Sequence, residues 1–462
     1  MEIIVFGAGE NYWIYKKWLA GHKVVAILDN AKNLWYKQID GHEIVPPEDI
    51  AKYNYDRIYI LSSYVAEIKR QLLALGIAEN KIFHTYQLCD LSVQTAISYY
   101  PSVFDNAKSS MVRVLVFSQE LTLTGAHMCL VHLVSIWVQQ SIQVTVVSPT
   151  DGTLRQVLLN LGANVIIDEM MLVSDDINRP YMKDCDILFV NTLQLFYLLR
   201  KRDLRKKTIW WVHEPDCLYK YVPDGKLNSL NRCNLNIYAV SEFARKVFLR
   251  HSLFSISEVG LLPFGIPDES KSSIDVQSSA LGNGITFIIV GGVSILKGYD
   301  TLLKTMHILH DWPECYEKYS IVSIGDNQNS FAKQLMHDAH DAKLPIEFKG
   351  SLSHDEAIAM IKISDVVICA SREETMSAAI IEGMMLGKIC ITTDNTGIAD
   401  YITDGVNGFI APVSDACFLA RKMMHIMEKY EELSYIKNNA RKLYEKYFSM
   451  HVFENRVSNL FE

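Results

Sequence analysis

The sequence predicts an α/β protein of more than one domain, built on parallel sheets with helices on both faces. Three observations carry this. Short β-branched runs alternate with helix-period segments almost throughout, the pattern of strand–helix–strand units. The chain has 462 residues, for which two or three domains are expected. Nearly half of its residues are apolar (49%), enough for each domain to close its own core.

The first block covers residues 1–92. "EIIVFGAG", "KVVAILDN" and "RIYILSS" read as three strands, with helices at "NYWIYKKWL" and "VAEIKRQLLALG". A less regular linker, 93–110, follows. The second block, 111–268, starts at "VRVLVFSQ" and continues through "VTVVSP", "NVIID", "DILFVNT", "TIWWVH", "NIYAVS" and "VGLLPFGIPD". A Ser- and Gly-rich stretch at 269–284 reads as a hinge. The third block, 285–415, carries "ITFIIVGG", "YSIVSIG", "IEFKG", "DVVICAS" and "KICITT", and 416–462 reads as amphipathic helices packing across the two larger domains. Two α/β domains joined by a hinge, each turning its strand ends to the other, make a cleft for a ligand.

Composition narrows the function. A formal charge of −8 argues against a general nucleic-acid binder. Nine cysteines without a CxxC pair point to thiols in a reducing compartment, not to a disulfide frame or a zinc site. The first residues enter a strand directly, with no basic leader, and the longest apolar run, "ITFIIVGGVSIL", is too short for a bilayer. A soluble, cytoplasmic protein is the expectation.

The chemistry concentrates in "SREETMSAAIIEGMMLGK", residues 371–388. After the strand "DVVICAS", Ser377 is placed to cap the helix "AAIIEGMML", and Gly387 to stop it. Glu373 and Glu374 then lie in the loop at the carboxyl edge of the sheet, and the N–H groups of Ser377 to Ile380 form an anion site. Glu382 lies on the helix inside an apolar run. A buried carboxylate needs a partner, either a donor in the protein or a ligand. In "GGVSILKGYDTLL", Gly291, Gly292 and Lys297 occupy a second strand-to-helix loop, where backbone and ammonium can close on a phosphate.

These segments, "VGGVSILKG", "FKGSLSHDEAIAMIKISDVVICASREETMSAAIIEGMMLGKICITTDNTGIADYITDGVNGFI" and "LTLTGAHMCLVHLV", resemble the retaining glycosyltransferases of family 4 over roughly residues 112–460. The most specific element is the E-x7-E spacing from Glu374 to Glu382. The resemblance implies a GT-B fold, two Rossmann-like domains facing a cleft, here preceded by a small additional Rossmann-like domain. It implies that Glu382 accepts the donor's ribose hydroxyls and that Glu374 holds donor-sugar hydroxyls. The backbone at Met376, Ser377 and Ala378 would bind sugar and phosphate oxygens, and Lys297 would neutralise the departing diphosphate. His213, after "TIWWV", would contact the sugar near the reacting carbon, and Gly125 in "LTLTGAHMCL" would let its loop approach donor and acceptor. Read without the resemblance, Gly125 is a turn glycine and His213 a hydrogen-bonded loop residue. Glu214 reads equally as a second site residue or as a cap or ion-pair partner. Arg245, in "SEFARK" behind the cap Ser241, faces either phosphate or solvent.

One position departs from the family. An arginine usually follows the strand in the pattern VGR, and Gly292 stands there. Lys297 then acts alone, or Arg372 or Arg245 compensates. In the first block, Gly7, Gly9 and Asp29 match a dinucleotide fingerprint, but Tyr12 takes the place of its third glycine. Both a nucleotide site and a structural role stay open for that block. The basic run "RKRDLRKK", 200–207, is either a solvated helix end or a face for anionic lipid.

The combined expectation is a metal-independent transferase. It would move a sugar from a nucleoside diphosphate, most often a UDP-sugar in this family, to a glycan or lipid-linked glycan in cell-surface polysaccharide assembly. No resident cofactor and no nucleic acid are expected, and a peripheral contact with the inner face of the membrane is. A non-catalytic glycan-binding relative and a GT-B sugar-nucleotide epimerase are the alternatives.

Overall fold

The computed structural model describes the chain except residues 63–64, 85–96, 103–111, 123–124, 170, 172–178, 201, 221, 223–224, 272–283, 313–317 and 462. Most of the proposed linker (93–110), most of the hinge (269–284) and Lys201 of the basic run lie outside the described residues.

Three sheets form in succession. The first has six strands, in the order Gln38–Ile39, His42–Val45, Lys23–Leu28, Glu2–Phe6, Arg57–Ile60 and Ile82–His84. Three of these are the strands expected from the sequence. The others are two to four residues long, too short to show a period. Apart from the antiparallel pair at Gln38–Ile39 and His42–Val45, the sheet is parallel. Its two faces are covered by separate cores, one around Ile3, Val5, Tyr12 and Ile27, the other around Ile4, Phe6, Leu28 and Leu72. The expected first helix is α-helical only at Glu10–Tyr15 and tightens to a 3₁₀ turn at Lys16–Leu19.

The second sheet runs Val259–Leu261, Leu235–Ala239, Lys207–Val212, Ile187–Asn191, Arg113–Phe117, Gln143–Ser148, Asn164–Ile167 and Ser98–Tyr100. Seven strands are parallel. The eighth, Ser98–Tyr100, pairs antiparallel with Asn164–Ile167 inside the stretch read as linker. Buried Trp210 and Trp211 donate their indole N–H groups to the carbonyls of Thr192 and Leu262, so neither ring buries an unmet donor.

The third sheet runs Ile346–Gly350, Tyr319–Ile324, Ile285–Val290, Val366–Cys369, Ile389–Thr393 and Phe409–Ala411, all parallel. Strand order reverses between Ile285–Val290 and Val366–Cys369. Loops leaving the carboxyl ends of those two strands therefore diverge and leave a crevice between them.

The C-terminal helices are Ala416–Lys429, Ser434–Tyr447 and Met450–Ser458. The Tyr444 hydroxyl donates to the Ile266 carbonyl at 3.0 Å, Arg456 to the Pro263 carbonyl, and Gln140 to Ser458 Oγ at 2.7 Å. The core of the second sheet continues through Phe448, Phe453 and Val457 to Ile380, Ile381 and Met384 of the third unit. The last helices thus tie the two larger units together.

Candidate active site

The crevice of the third sheet is lined by two loops. After Ile285–Val290 the chain makes a tight passage from Gly291 to Gly298 before the helix Tyr299–His310. Gly291 has φ +143°, and a Cβ there would touch the aliphatic stem of Lys297 at 3.5 Å. At Gly298 (φ +73°) a Cβ would lie 1.8 Å from the Ala370 carbonyl oxygen. Glycine is required at 298, because that contact seats the Lys297 loop directly against the end of the neighbouring strand.

The second loop, 370–377, is clamped from three sides. Arg372 N–H donates to the Leu296 carbonyl, Asn395 Nδ2 to the Arg372 carbonyl at 2.6 Å, and Gly397 N–H to the Glu374 carbonyl at 2.8 Å. Across the crevice the Lys297 ammonium pairs with the Glu374 carboxylate. The pair is half-buried, with side chains 33% and 18% exposed. Burial works against the Lys297 charge, but the Glu374 carboxylate outweighs it and holds the ammonium above its ordinary pKa.

The helix Ala378–Met385 starts where expected. Ser377 Oγ accepts from Ile380 N–H at 3.4 Å, and Gly387 leaves the helix at φ +64°. That cap corrects one expectation: the Ile380 N–H is taken by Ser377, so the free amides end earlier in the turn. Met376 is 6% exposed and its side chain is in the core, which leaves only its backbone for a ligand.

Glu382 does not join the Lys297–Glu374 pair. Its side chain is 13% exposed, and Oε1 stands 3.9 Å from His354 Nδ1. His354 Nε2 in turn meets Glu269 Oε1 at 3.0 Å. Burial pushes the Glu382 carboxyl above its ordinary pKa, the His354 ring pulls it down, and Glu269 raises it further. His354 and Glu269 were not anticipated. The sequence "SLSH" marks a helix start, and Ser353 is indeed the cap of His354–Ile363, but local sequence does not say which helix faces that start.

The second unit contributes the opposite wall. His213 and Glu214 leave the strand Lys207–Val212 and are 8% and 5% exposed. Glu214 Oε2 accepts the His213 N–H at 2.9 Å, so its carboxylate braces the turn that carries the histidine. The His213 ring lies 4.2 Å from that of Trp211, and its Nε2 is buried without a hydrogen-bond partner. Burial, with His127 nearby, pushes His213 down to about 3, so the ring is neutral at physiological pH. His127 belongs to the helix Gly125–Gln139, which places the start of that helix beside His213. A Cβ on Gly125 would meet no protein atom within 4 Å.

Two contacts join the walls. Asp216 N–H donates to Glu373 Oε1, and Ser241 Oγ donates to the Thr375 carbonyl at 2.6 Å. Arg245 is held by Glu242 and the Val259 carbonyl, and Arg372 by Asp300 at 2.6 Å. Either arginine would have to leave its partner to serve a diphosphate.

Glu214 gives a pH signature. Burial raises its carboxyl to about 7, against the pull of backbone N–H donors at Leu193, His213 and Glu214 itself. Between its ordinary pKa and about 7 the folded chain keeps a proton that the unfolded chain releases, so this group makes stability fall as pH rises through that window. Glu214→Gln keeps the shape and removes the ionisation. Its melting temperature should fall less than the parent's between about pH 5 and about pH 8. An identical pH slope in both proteins would show that Glu214 titrates normally.

In the first unit, Asp29 is already engaged. Its Oδ2 accepts Ala8 N–H at 2.8 Å and its Oδ1 accepts Ala31 N–H at 2.7 Å. Gly7 (φ +117°) packs against the Leu61 carbonyl, while Gly9 is open. Tyr12, 2% exposed, fills the core where the fingerprint has its third glycine and bonds Asp40 through its hydroxyl at 3.1 Å.

Comparison with known proteins agrees with this fold. A model of the family "Glycosyl transferases group 1" matches residues 271–443, and one described as "C2185-like, N-terminal" matches residues 1–83. Among curated proteins, the chain is 23% identical over 306 residues to the lipopolysaccharide 1,2-N-acetylglucosaminetransferase of Salmonella typhimurium, covering 61% of this chain and 74% of that one. It is 27% identical over 122 residues to the putative glycosyltransferase EpsD of Bacillus subtilis, where it spans 26% of this chain and 32% of the relative's length. Among solved structures, Anabaena Alr3699/HepE in complex with UDP and glucose superposes with TM-score 0.62 at 16% identity, over 76% of this chain and 99% of that one. The lipopolysaccharide outer core galactosyltransferase WaaB gives 0.59 at 13% identity, with 76% and 99% covered. The chain thus has the GT-B fold, and its residues 271–443 match the group 1 glycosyl transferase family.

Proposed function

We propose that the chain is a retaining glycosyltransferase of family 4 that moves a sugar from a nucleoside diphosphate, a UDP-sugar first among candidates, to a glycan or lipid-linked glycan in polysaccharide assembly. The Lys297–Glu374 pair at the strand-order reversal is the observation that supports this most directly. A flexible cation stands there with a carboxylate beside the amino end of a helix. When a diphosphate enters, Lys297 turns to it, and Glu374 is released to accept sugar hydroxyls. Charge grows on the leaving diphosphate as the glycosidic bond breaks, and Lys297 with the first helix amides is aimed at that charge. No metal is required in this scheme. Glu382 takes the ribose hydroxyls at the far end, and neutral His213 approaches the sugar from the other wall. The acceptor hydroxyl attacks from the face the diphosphate leaves and gives its proton to it, so no enzymatic nucleophile takes part. The site is placed on the cytoplasmic side, with peripheral access to the membrane where the acceptor is lipid-linked. Among the described residues no helix is long and apolar enough to cross a membrane.

The decisive experiment is a thermal-shift screen of nucleoside diphosphate sugars, followed by NMR of the anomeric centre in the transfer product. Stabilisation by one donor and a product of retained configuration are expected. Inverted configuration would remove the mechanism, and conversion of the donor without any acceptor would indicate an epimerase.

Gly292 makes the reading testable by gain. A Cβ there would meet only Asp326 atoms, at 3.7 and 3.9 Å, which is ordinary contact. Gly292→Arg should therefore be tolerated and add a second cation to the diphosphate, tightening UDP binding by about tenfold at low salt. The gain should shrink as salt rises. Unchanged UDP affinity at low ionic strength would place the diphosphate elsewhere.

A further inference from the structure

The N-terminal domain holds a cavity of about 550 Å³ at the carboxyl ends of Glu2–Phe6, Lys23–Leu28 and Arg57–Ile60. The strand order reverses at the first of these, so the cavity occupies the crevice where ligands of open α/β sheets bind. Its volume is that of a small-molecule site. Gly7, Gly9, Asn11, Asn30, Ser62 and Glu67 are among the residues that line it.

Its chemistry is wrong for a diphosphate. The lining includes two carboxylates, Asp29 and Glu67, and no lysine or arginine among the described residues. Lys220, from the neighbouring unit, is paired to Glu67 at 2.8 Å. The ribose-binding role of a fingerprint aspartate is also compromised, because both Asp29 oxygens already accept backbone N–H groups. The Asn30 amide is paired both ways with Gln71, and the Asn11 amide, set beside apolar Phe6, Leu61 and Ile68, suits a ligand rich in hydroxyls and without charge.

The domain's attachment narrows that choice. Glu67 reaches Lys220, which follows the short helix Asp216–Tyr219 beyond His213. Tyr15 lies close enough to Glu120 for that carboxylate to help raise its pKa, after burial. Glu120 and Lys220 both belong to connections leaving carboxyl ends of the second sheet, the edge that carries Gly125 and His213. The N-terminal domain therefore sits at the carboxyl edge of the second sheet, which the proposed function makes the acceptor wall of the cleft. We propose that this cavity binds a neutral carbohydrate segment of the glycan acceptor and so holds its end toward the cleft. The inference rests on the glycosyltransferase reading above.

Gly9 supplies the test. Its Cβ position is open and its φ of −85° suits any residue, so Gly9→Phe fills the cavity without straining the backbone. Asn11→Ala removes one amide and leaves the main chain alone. The full-length protein is applied to an array of neutral oligosaccharides with hexose, N-acetylhexosamine and deoxyhexose ends, and affinities for captured glycans are measured in solution. At least one neutral oligosaccharide should bind the parent, and Gly9→Phe should weaken it by about tenfold or more, Asn11→Ala by less, with parental melting temperatures. The proposal is overturned if no neutral oligosaccharide binds the parent, if binding is indifferent to both variants, or if NAD or UDP alone competes in a Gly9-dependent way. UDP binding sensitive to Glu382→Gln is read on the same samples. Its presence with a failed glycan arm removes this inference alone, and its absence removes the donor reading.

Discussion

Lys297→Ala should lower turnover by about a hundred- to a thousandfold, the cost seen when a donor aimed at developing negative charge is removed. Lys297 pairs with Glu374 in the ligand-free protein, so a simple loss of activity has two explanations. The lysine either stabilises the leaving diphosphate or only fixes the position of Glu374. A double-substitution cycle separates them. If Lys297 acts on the diphosphate, Lys297→Met and Glu374→Gln remove different interactions, and the double variant should be slower than either single one. If the lysine merely positions the glutamate, the double variant should be no slower than Glu374→Gln. The pair is partly open to solvent, so its rupture should move the melting temperature little. Transfer that survives Lys297→Ala within a few-fold would show that Lys297 does not stabilise the leaving diphosphate.

The parts of the site legible in the sequence were those governed by short-range rules. Ser377 as a helix cap, Gly387 as its stop and the loop position of Glu374 follow from capping and turn chemistry within one strand–helix unit. Gly298 was not singled out, although it fixes Lys297, because its partner is the Ala370 carbonyl on a strand far away in sequence. The same limit hid the Glu373 contact with Asp216 and the Ser241 contact with Thr375, which close the two walls on each other. It also left Arg245 undecided. The helix pattern allowed either a phosphate-facing or a solvent-facing guanidinium, and Glu242 one turn before it settled the pairing. In the N-terminal domain the glycine spacing suggested a nucleotide, whereas the hydrogen bonds that occupy Asp29 depend on how the loops at 8 and 31 fold over it.

Glu382→Gln should weaken UDP binding by about ten- to a hundredfold while leaving the empty protein no less stable than the parent. The first half follows from the strength of hydrogen bonds to a charged acceptor: two ribose hydroxyls meeting a carboxylate gain more than they do from a neutral amide. The second follows from the setting. Three charged or titratable groups meet here, Glu382, His354 and Glu269, and the helix that carries Glu382 is otherwise apolar. Burial holds the Glu382 carboxyl above its ordinary range, which means that ionising it costs the folded chain more than the unfolded one. Its contribution to stability is thus present at low pH and is lost as pH rises through the raised pKa. The His354 ring beside it pulls the carboxyl the other way and so lowers the upper end of that window. The variant has no such loss, so the difference in melting temperature between variant and parent should grow in the variant's favour from acid to alkaline pH. A ligand with hydroxyl donors compensates the same charge, so UDP should stabilise the parent most where the parent alone is weakest. If Glu382→Gln instead lowers the melting temperature at alkaline pH and binds UDP as the parent does, the carboxylate is a structural partner of His354, and the ribose has no seat there.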